Sequence, residues 1–135
     1  KKNILSQSIK FYEGKLDEIK ELNSKKFDII YSRFVLHAMT VKEEILMLKK
    51  GFEVLYDDGQ IFIECRSILD PLARQGDIIS STERIHGHYR RFIIKDELIE
   101  RLTTIGFTIL DVVEEDDLAV YKDDNPVVIR VIAKK

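Results

Sequence analysis

Phe27-Asp28-Ile29-Ile30-Tyr31-Ser32-Arg33-Phe34-Val35-Leu36 is almost continuously apolar and is dominated by β-branched and aromatic residues. A run of this kind suits a strand covered on both faces in the middle of a parallel sheet. A charged stretch follows. Over 41–56, Ile45, Leu46, Leu48, Phe52, Val54 and Leu55 mix with Lys42, Glu43, Glu44, Lys49, Lys50 and Glu53 in the pattern of an amphipathic crossover helix. Thr40 is placed to cap its start, and Glu43, three residues on, completes a capping box. Asp57-Asp58-Gly59 ends the helix, with Gly59 able to take a left-handed conformation. Residues 60–66 form a second buried strand centred on Ile61-Phe62-Ile63. A strand, helix, strand unit of this length is right-handed in nearly all cases, so two parallel strands under a covering helix follow.

On the N-terminal side, Ile9 and Phe11 alternate weakly, which predicts a short strand over 8–12. Leu16, Ile19 and Leu22 recur at helical spacing, which predicts a short surface helix. On the C-terminal side, 68–92 has no sustained period and contains Pro71, Gly76, Gly87 and Ser80-Ser81-Thr82. It reads as a long, partly helical excursion, and such excursions in compact domains are usually functional lids or binding loops, or else disordered. Residues 95–105 return to helical period and Gly106 closes them. A strand over 107–113, an acidic loop over 114–125 and a last strand over 127–133 complete the chain as an antiparallel hairpin.

Length and composition narrow the possibilities. At 135 residues with 44% hydrophobic content, one domain with its own core is expected. With 22 Lys+Arg against 24 Asp+Glu the net charge is −2, so no overall field draws the chain to nucleic acid or to an anionic membrane. No apolar stretch approaches the roughly 20 residues that span a bilayer. The single cysteine, Cys65, sits in an apolar run and has no internal partner, which fits a buried thiol in the reducing cytoplasm.

The order strand, helix, Asp-Asp-Gly turn, strand, long loop, helix, Gly106-Phe107, strand, acidic loop, final strand resembles class I S-adenosylmethionine-dependent methyltransferases, from their fourth strand through their seventh. In that family the fourth strand commonly reads Phe-Asp-hydrophobic-hydrophobic and ends near Leu-His, as Phe27-Asp28-Ile29-Ile30 and Leu36-His37 do. The following turn is usually Leu-x-Pro-Gly-Gly, of which Leu55-Tyr56-Asp57-Asp58-Gly59 keeps the Leu and one Gly. The resemblance covers 8–134 and implies an α/β fold: a partial Rossmann-like methyltransferase sheet with parallel strands and a C-terminal antiparallel hairpin. It also implies a single domain over 1–135 that is the C-terminal portion of a methyltransferase domain, with 68–92 as its long loop or lid.

The chain departs from the family in three places. No Gly-x-Gly string, which lets backbone approach the cofactor, occurs in it. The family's second strand, with its acidic residue for the ribose, has no counterpart. Its third strand would correspond to Ile9-Lys10-Phe11-Tyr12-Glu13-Gly14, where Lys15 replaces the Asp often found after that glycine. The isolated chain is therefore expected to be inactive. In the family the fourth strand lies beside the first, so an unpartnered 27–36 would present an apolar edge. Pairing with a missing N-terminal segment, or self-association, is expected to cover it.

Candidate site residues follow from the carboxyl ends of the two parallel strands, where open α/β sheets bind ligands. The resemblance implies that Tyr31, Ser32, Arg33 and Phe34 lie against S-adenosylmethionine and that His37 is a catalytic or orienting residue. The plainer reading is that Ser32 and Arg33 begin a loop while Phe34 and His37 pack. Arg66, Arg90 and Arg91 could converge on a carboxylate or phosphate of a small-molecule substrate, since guanidinium groups bind such anions bidentately, with Tyr89 as an aromatic wall. The alternative matches these arginines to Asp70 or Glu83. His86-Gly87-His88 with Glu83 falls short of a four-ligand metal set, so no metal is expected. Two further readings remain: a non-catalytic α/β interaction module that pairs through the uncovered strand, and a different nucleotide-binding α/β domain.

Overall fold

A computed structural model describes residues 9–135 of the chain. Its main sheet has four strands in the order β1-β2-β7-β6. β1 (Phe27–Arg33) runs parallel to β2 (Leu55–Arg66), with Ile30 opposite Ile61 and Arg33 opposite Glu64. Between them lies α1 (Val41–Val54), capped as expected: the Glu43 amide donates to Thr40 Oγ1 at 3.3 Å and the Thr40 amide to Glu43 Oε2 at 2.9 Å. β7 (Val128–Lys134) pairs antiparallel with both β2 and β6 (Thr108–Glu115), completing the C-terminal hairpin. α2 (Lys95–Ile105) precedes β6 and ends at Gly106, whose φ of 127° admits the turn.

Several boundaries differ from the sequence reading. The helix ends at Val54 and the chain passes directly into β2, so the Asp-Asp-Gly turn is a bend within the strand. Asp58, not Gly59, takes the left-handed conformation there, with φ 67°. Gly59 serves close approach instead: a Cβ at that position would sit 2.8 Å from the Tyr56 carbonyl oxygen and 3.2 Å from that of Asp28. The helix expected near Leu16 reduces to a 3-10 turn, Lys20–Leu22. Of the strand expected over 8–12, Ser8 lies outside the described residues, and 9–12 makes no regular pairing.

The long excursion is also more ordered than its sequence suggests. After a 3-10 turn at Pro71–Arg74, β3 (Asp77–Ile78), β4 (Glu83–His86) and β5 (His88–Arg91) form a small antiparallel sheet. Strands this short give weak period-two signals, which is why their pattern was not legible.

The core lies on one face of the main sheet. Ile61, Ile63 and Cys65 of β2 and Ile129, Val131 and Ala133 of β7 pack against Met47 and Leu48 of α1 and Leu98 and Leu102 of α2. The opposite face has no covering element among the described residues and carries Phe62, Ile132 and the Arg33–Glu64–Arg130 ion pairs at 2.7 and 2.5 Å. β1 is therefore not the doubly covered central strand that its composition predicts. It is an edge strand among the described residues, with Ile29 60% and Tyr31 68% exposed.

One buried ion cluster fastens the small sheet to this frame. Glu44 of α1 is fully buried and accepts from Arg91 of β5 at 3.0 Å and from Arg101 of α2 at 2.9 Å. Arg91 also donates to the carbonyls of Met39 and Leu36, at 2.7 and 3.2 Å. Removing one partner of a buried pair strands the other charge without water. Glu44→Gln should therefore cost about 3–5 kcal/mol of stability in urea denaturation, and a loss below about 1 kcal/mol would show that the cluster does not hold the fold.

Candidate active site at the carboxyl ends of the parallel strands

β1 ends at Arg33, and the next residue turns sharply. Phe34 has φ 54°, a left-handed conformation that is an outlier for a bulky side chain. Its amide still donates to the Glu64 carbonyl at 2.8 Å, so the last hydrogen bond of the β1–β2 ladder holds the residue there. The turn places the Phe34 ring between two guanidinium groups, 5.3 Å from Arg33 and 6.0 Å from Arg66, with the His37 ring 6.1 Å away. His37 lies in a 3-10 turn, Leu36–Ala38, whose first carbonyl is one of the acceptors for Arg91.

β2 brings Arg66 to the same end. Its guanidinium donates to Asp70 at 3.0 Å and, on the outer side, to the carboxylate of Asp124. Asp70 is 2% exposed and also accepts the amides of Leu72, at 2.8 Å, and Val127, at 3.0 Å. One carboxylate thus ties the end of β2 to the excursion and to the start of β7. Phe34, His37, Arg66, Arg90, Tyr121 and Asp124 line the resulting recess, of about 360 Å³.

The side chains expected in the site separate cleanly. His37, Phe34, Arg33, Arg66 and Arg90 meet at the recess. Ser32 does not line the recess: it lies opposite Ile63 on the core side of β1, buried, its hydroxyl without a partner among the described residues. Tyr31 points to the other face of the sheet, where with Arg33 it borders a larger cavity, of about 580 Å³, over Phe62 and Ile132. Arg91 is the buried partner of Glu44 and faces away from the recess, because successive residues of β5 alternate sides. Tyr89 donates to Glu83 at 2.7 Å and stands outside the recess, and that contact together with burial pushes its hydroxyl up to about 12. Of the pairings weighed as the alternative, Arg66 with Asp70 is present. His86 and His88 flank the β4–β5 turn, and no group of three or more His, Cys, Asp or Glu among the described residues could hold a metal ion.

Tyr121 and Asp124 were missed. They sit in the acidic loop, which reads in sequence as a solvated charge run. The available signal was topological: a hairpin beside β2 whose last strand antiparallels it, Arg66 facing Val128, must return its loop to the carboxyl end of β2.

Electrostatics single out two groups. Burial, with the cationic Arg90 and Arg66 nearby, holds His37 down to about 4, and its Nδ1 is buried without a partner. Arg90 is lowered by burial and by Arg66, and its Nε is likewise unpartnered. The folded chain therefore keeps His37 neutral between about 4 and 6.5, while the unfolded chain, with its ordinary value of 6.5, binds a proton. The unfolded state then holds more protons in that window, so stability rises with pH across it and the contribution is complete above 6.5. His37→Gln should flatten that part of the Tm–pH curve, and the wild-type imidazole should remain neutral by NMR at pH 5.5. An imidazole titrating near 6.5 would contradict the buried, cation-flanked geometry.

Neither a protein-family model nor a curated protein sequence matches the chain. Solved structures do. An S-adenosylmethionine-dependent methyltransferase from Clostridium acetobutylicum superposes with a TM-score of 0.70 at 14% identity, covering 96% of this chain and 67% of that one. One from Mesorhizobium loti gives 0.61 at 16% identity, covering 84% and 66%. The 1,6-didemethyltoxoflavin-N1-methyltransferase of Burkholderia thailandensis, solved with that compound and S-adenosylhomocysteine, gives 0.63 at 18% identity, covering 89% and 48%. The chain thus spans from about half to two thirds of the length of these proteins, and at such identities the likeness is one of fold. The architecture is that of part of a class I S-adenosylmethionine-dependent methyltransferase sheet, with β1 and β2 as its parallel pair and β7 and β6 closing it antiparallel.

Proposed function

We propose that this chain is part of a cytoplasmic S-adenosylmethionine-dependent methyltransferase that acts on a small molecule carrying an anionic group. The observation that carries the proposal is the recess at the carboxyl ends of a parallel pair in this fold, lined by an Arg90 with no carboxylate partner among the described residues. The residues present fit one side of the cofactor. His37 Nδ1, on the turn after β1, is a buried polar atom at the recess that a cofactor group would satisfy, and such atoms are costly if left unpaired. The Phe34 ring supplies an adjoining wall. When bound, S-adenosylmethionine supplies a methyl group on a sulfonium, with the neutral thioether as leaving group.

The protein's task in such a reaction is alignment. Arg90 and Arg66 hold the anionic group of the acceptor. His37, neutral at physiological pH, is too weakly basic to take a proton from the acceptor, so its part is to orient a bound group. The 68–92 excursion acts as a lid by carrying Arg90 to the recess. The cofactor's remaining contacts come from a strand and glycine loop beside β1, and this chain alone does not bind it. Calorimetry with S-adenosylhomocysteine should show no micromolar binding to this chain, and binding once a preceding strand and Gly-x-Gly loop are joined to it. Micromolar binding by these residues alone would overturn the claim of inactivity.

The second reading, a non-catalytic module pairing through its uncovered strand, is favoured by the exposed Ile29 and Tyr31 on the free edge of β1. In either case that edge is completed by another strand, from a preceding segment or a second copy. Sedimentation should show concentration-dependent association of this chain that Ile29→Lys suppresses. A non-associating monomer at high concentration would remove self-pairing.

A further inference from the structure

The three guanidinium groups of the recess are not equivalent. Arg33 is matched by Glu64 at 2.7 Å. Arg66 is clamped by Asp70 from within and by Asp124 from outside. Arg90 meets His88 Nε2 at 3.0 Å and has no carboxylate among the described residues. The two partners of Arg66 also differ: the Asp70 side chain is 1% exposed, whereas that of Asp124 is 47% exposed.

Asp124 belongs to a loop that is folded on itself. At its base Asn125 and Asp117 exchange hydrogen bonds of 2.9 and 2.8 Å. At its tip the backbones of Tyr121 and Asp124 exchange two more, of 2.9 and 3.0 Å. Its side-chain ties to the sheet are Asp124 on Arg66 and the Leu118 carbonyl accepting from Arg130 at 2.6 Å. A preformed loop tied to the sheet at these two points can shift as a body once another oxyanion takes the place of Asp124, whose side chain is 47% exposed although the Arg66 it meets is buried.

We propose that Arg66 and Arg90 form a site for a carboxylate or phosphate group, and that Asp124 is its built-in competitor, leaving Arg66 when the ligand's oxyanion arrives. Binding and movement of the 117–125 loop are then one event. The ligand anion takes the outer Nη face of Arg66 together with the Nε of Arg90 that now lacks a partner. The exchange swaps one oxyanion for another, so an uncharged ligand gains nothing from it. Selectivity for anions follows from the need to displace one. This rests on reading the recess as the acceptor site.

The test is NMR titration of the isotope-labelled chain with inorganic phosphate and, separately, with acetate at constant ionic strength. The arginine Nε–H signals and the 117–125 amides are followed together. The proposal expects Arg90 and the loop amides to shift with one common Kd for at least one of the two anions. Asp124→Asn should bind that anion about 5-fold or more tightly, since the site no longer has to be vacated first. Asp123→Asn, an equal change in net charge one residue away, should leave Kd unchanged. An unchanged or weaker Kd in Asp124→Asn, an equal gain in Asp123→Asn, loop amides that stay still while Arg90 shifts, or no saturable shift with either anion would each overturn it. Because no cofactor is present, success here with no S-adenosylhomocysteine binding by the extended protein would remove the methyltransferase reading alone. Failure here with cofactor binding preserved would remove only the competitor.

Discussion

A carboxylate without access to water must be neutralised where it stands, and Glu44 meets that constraint by drawing three elements together. It lies on α1, and its two oxygens are taken by Arg91 from β5 and Arg101 from α2. Neither arginine can leave without stranding a charge in a low-dielectric interior. The small sheet exposes Ile78 and Ile85 and is positioned by this ion cluster together with Phe92 and Ile93, which follow β5 directly and are buried. Fixing Arg91 inward fixes Arg90 on the other side of β5, toward His37. Arg90, which has no carboxylate partner among the described residues, is placed by its neighbour's buried guanidinium.

A second carboxylate does similar work at the carboxyl ends of β1 and β2. Asp70 receives Arg66 and the amides of Leu72 and Val127, joining β2, the excursion and β7 at one point. The recess is thus framed by backbone that is hydrogen-bonded to a buried anion, while its walls retain polar atoms, on His37 and Arg90, that have no partner. Rigid framing with unsatisfied lining is the arrangement expected of a site that completes its hydrogen bonds with a ligand.

The two faces of the main sheet tell a matching story. α1 and α2 bury one face in a continuous apolar core, while the other shows Phe62 and Ile132 beside charged pairs, and β1 leaves an unpaired edge with exposed Ile29 and Tyr31. A sheet normally buries both faces in folds of this class. The composition of β1 is that of an interior strand, and its position among the described residues is that of an edge. Sequence composition here reports the environment for which the strand is suited.

Local signals settled much of the architecture. The Thr40–Glu43 capping box, the period of α2 with its terminal Gly106, the apolar runs of β1 and β2 and the closing hairpin are each decided by residues within one or two turns of each other. Their order was enough to suggest the fold. Where local chemistry was ambiguous the reading failed: the three residues of Asp57-Asp58-Gly59 could have ended a helix or bent a strand, and β3 to β5 are too short for their period to stand out. The site was half legible. His37, Arg66 and Arg90 could be named because strand ends in parallel sheets bind ligands. Whether Arg90 or Arg91 faced the recess, and whether the acidic loop reached it, depended on contacts with Glu44 and Arg66 from 47 or more residues away, to which no local pattern is sensitive. The sequence by itself determined the strands of the main sheet and its two covering helices, and it pointed to the carboxyl ends of the parallel strands as the place for a candidate site. Only the tertiary structure decided which charges are spent on holding the fold and which are left for a ligand, because a charge is neutralised by whatever the folded chain brings beside it.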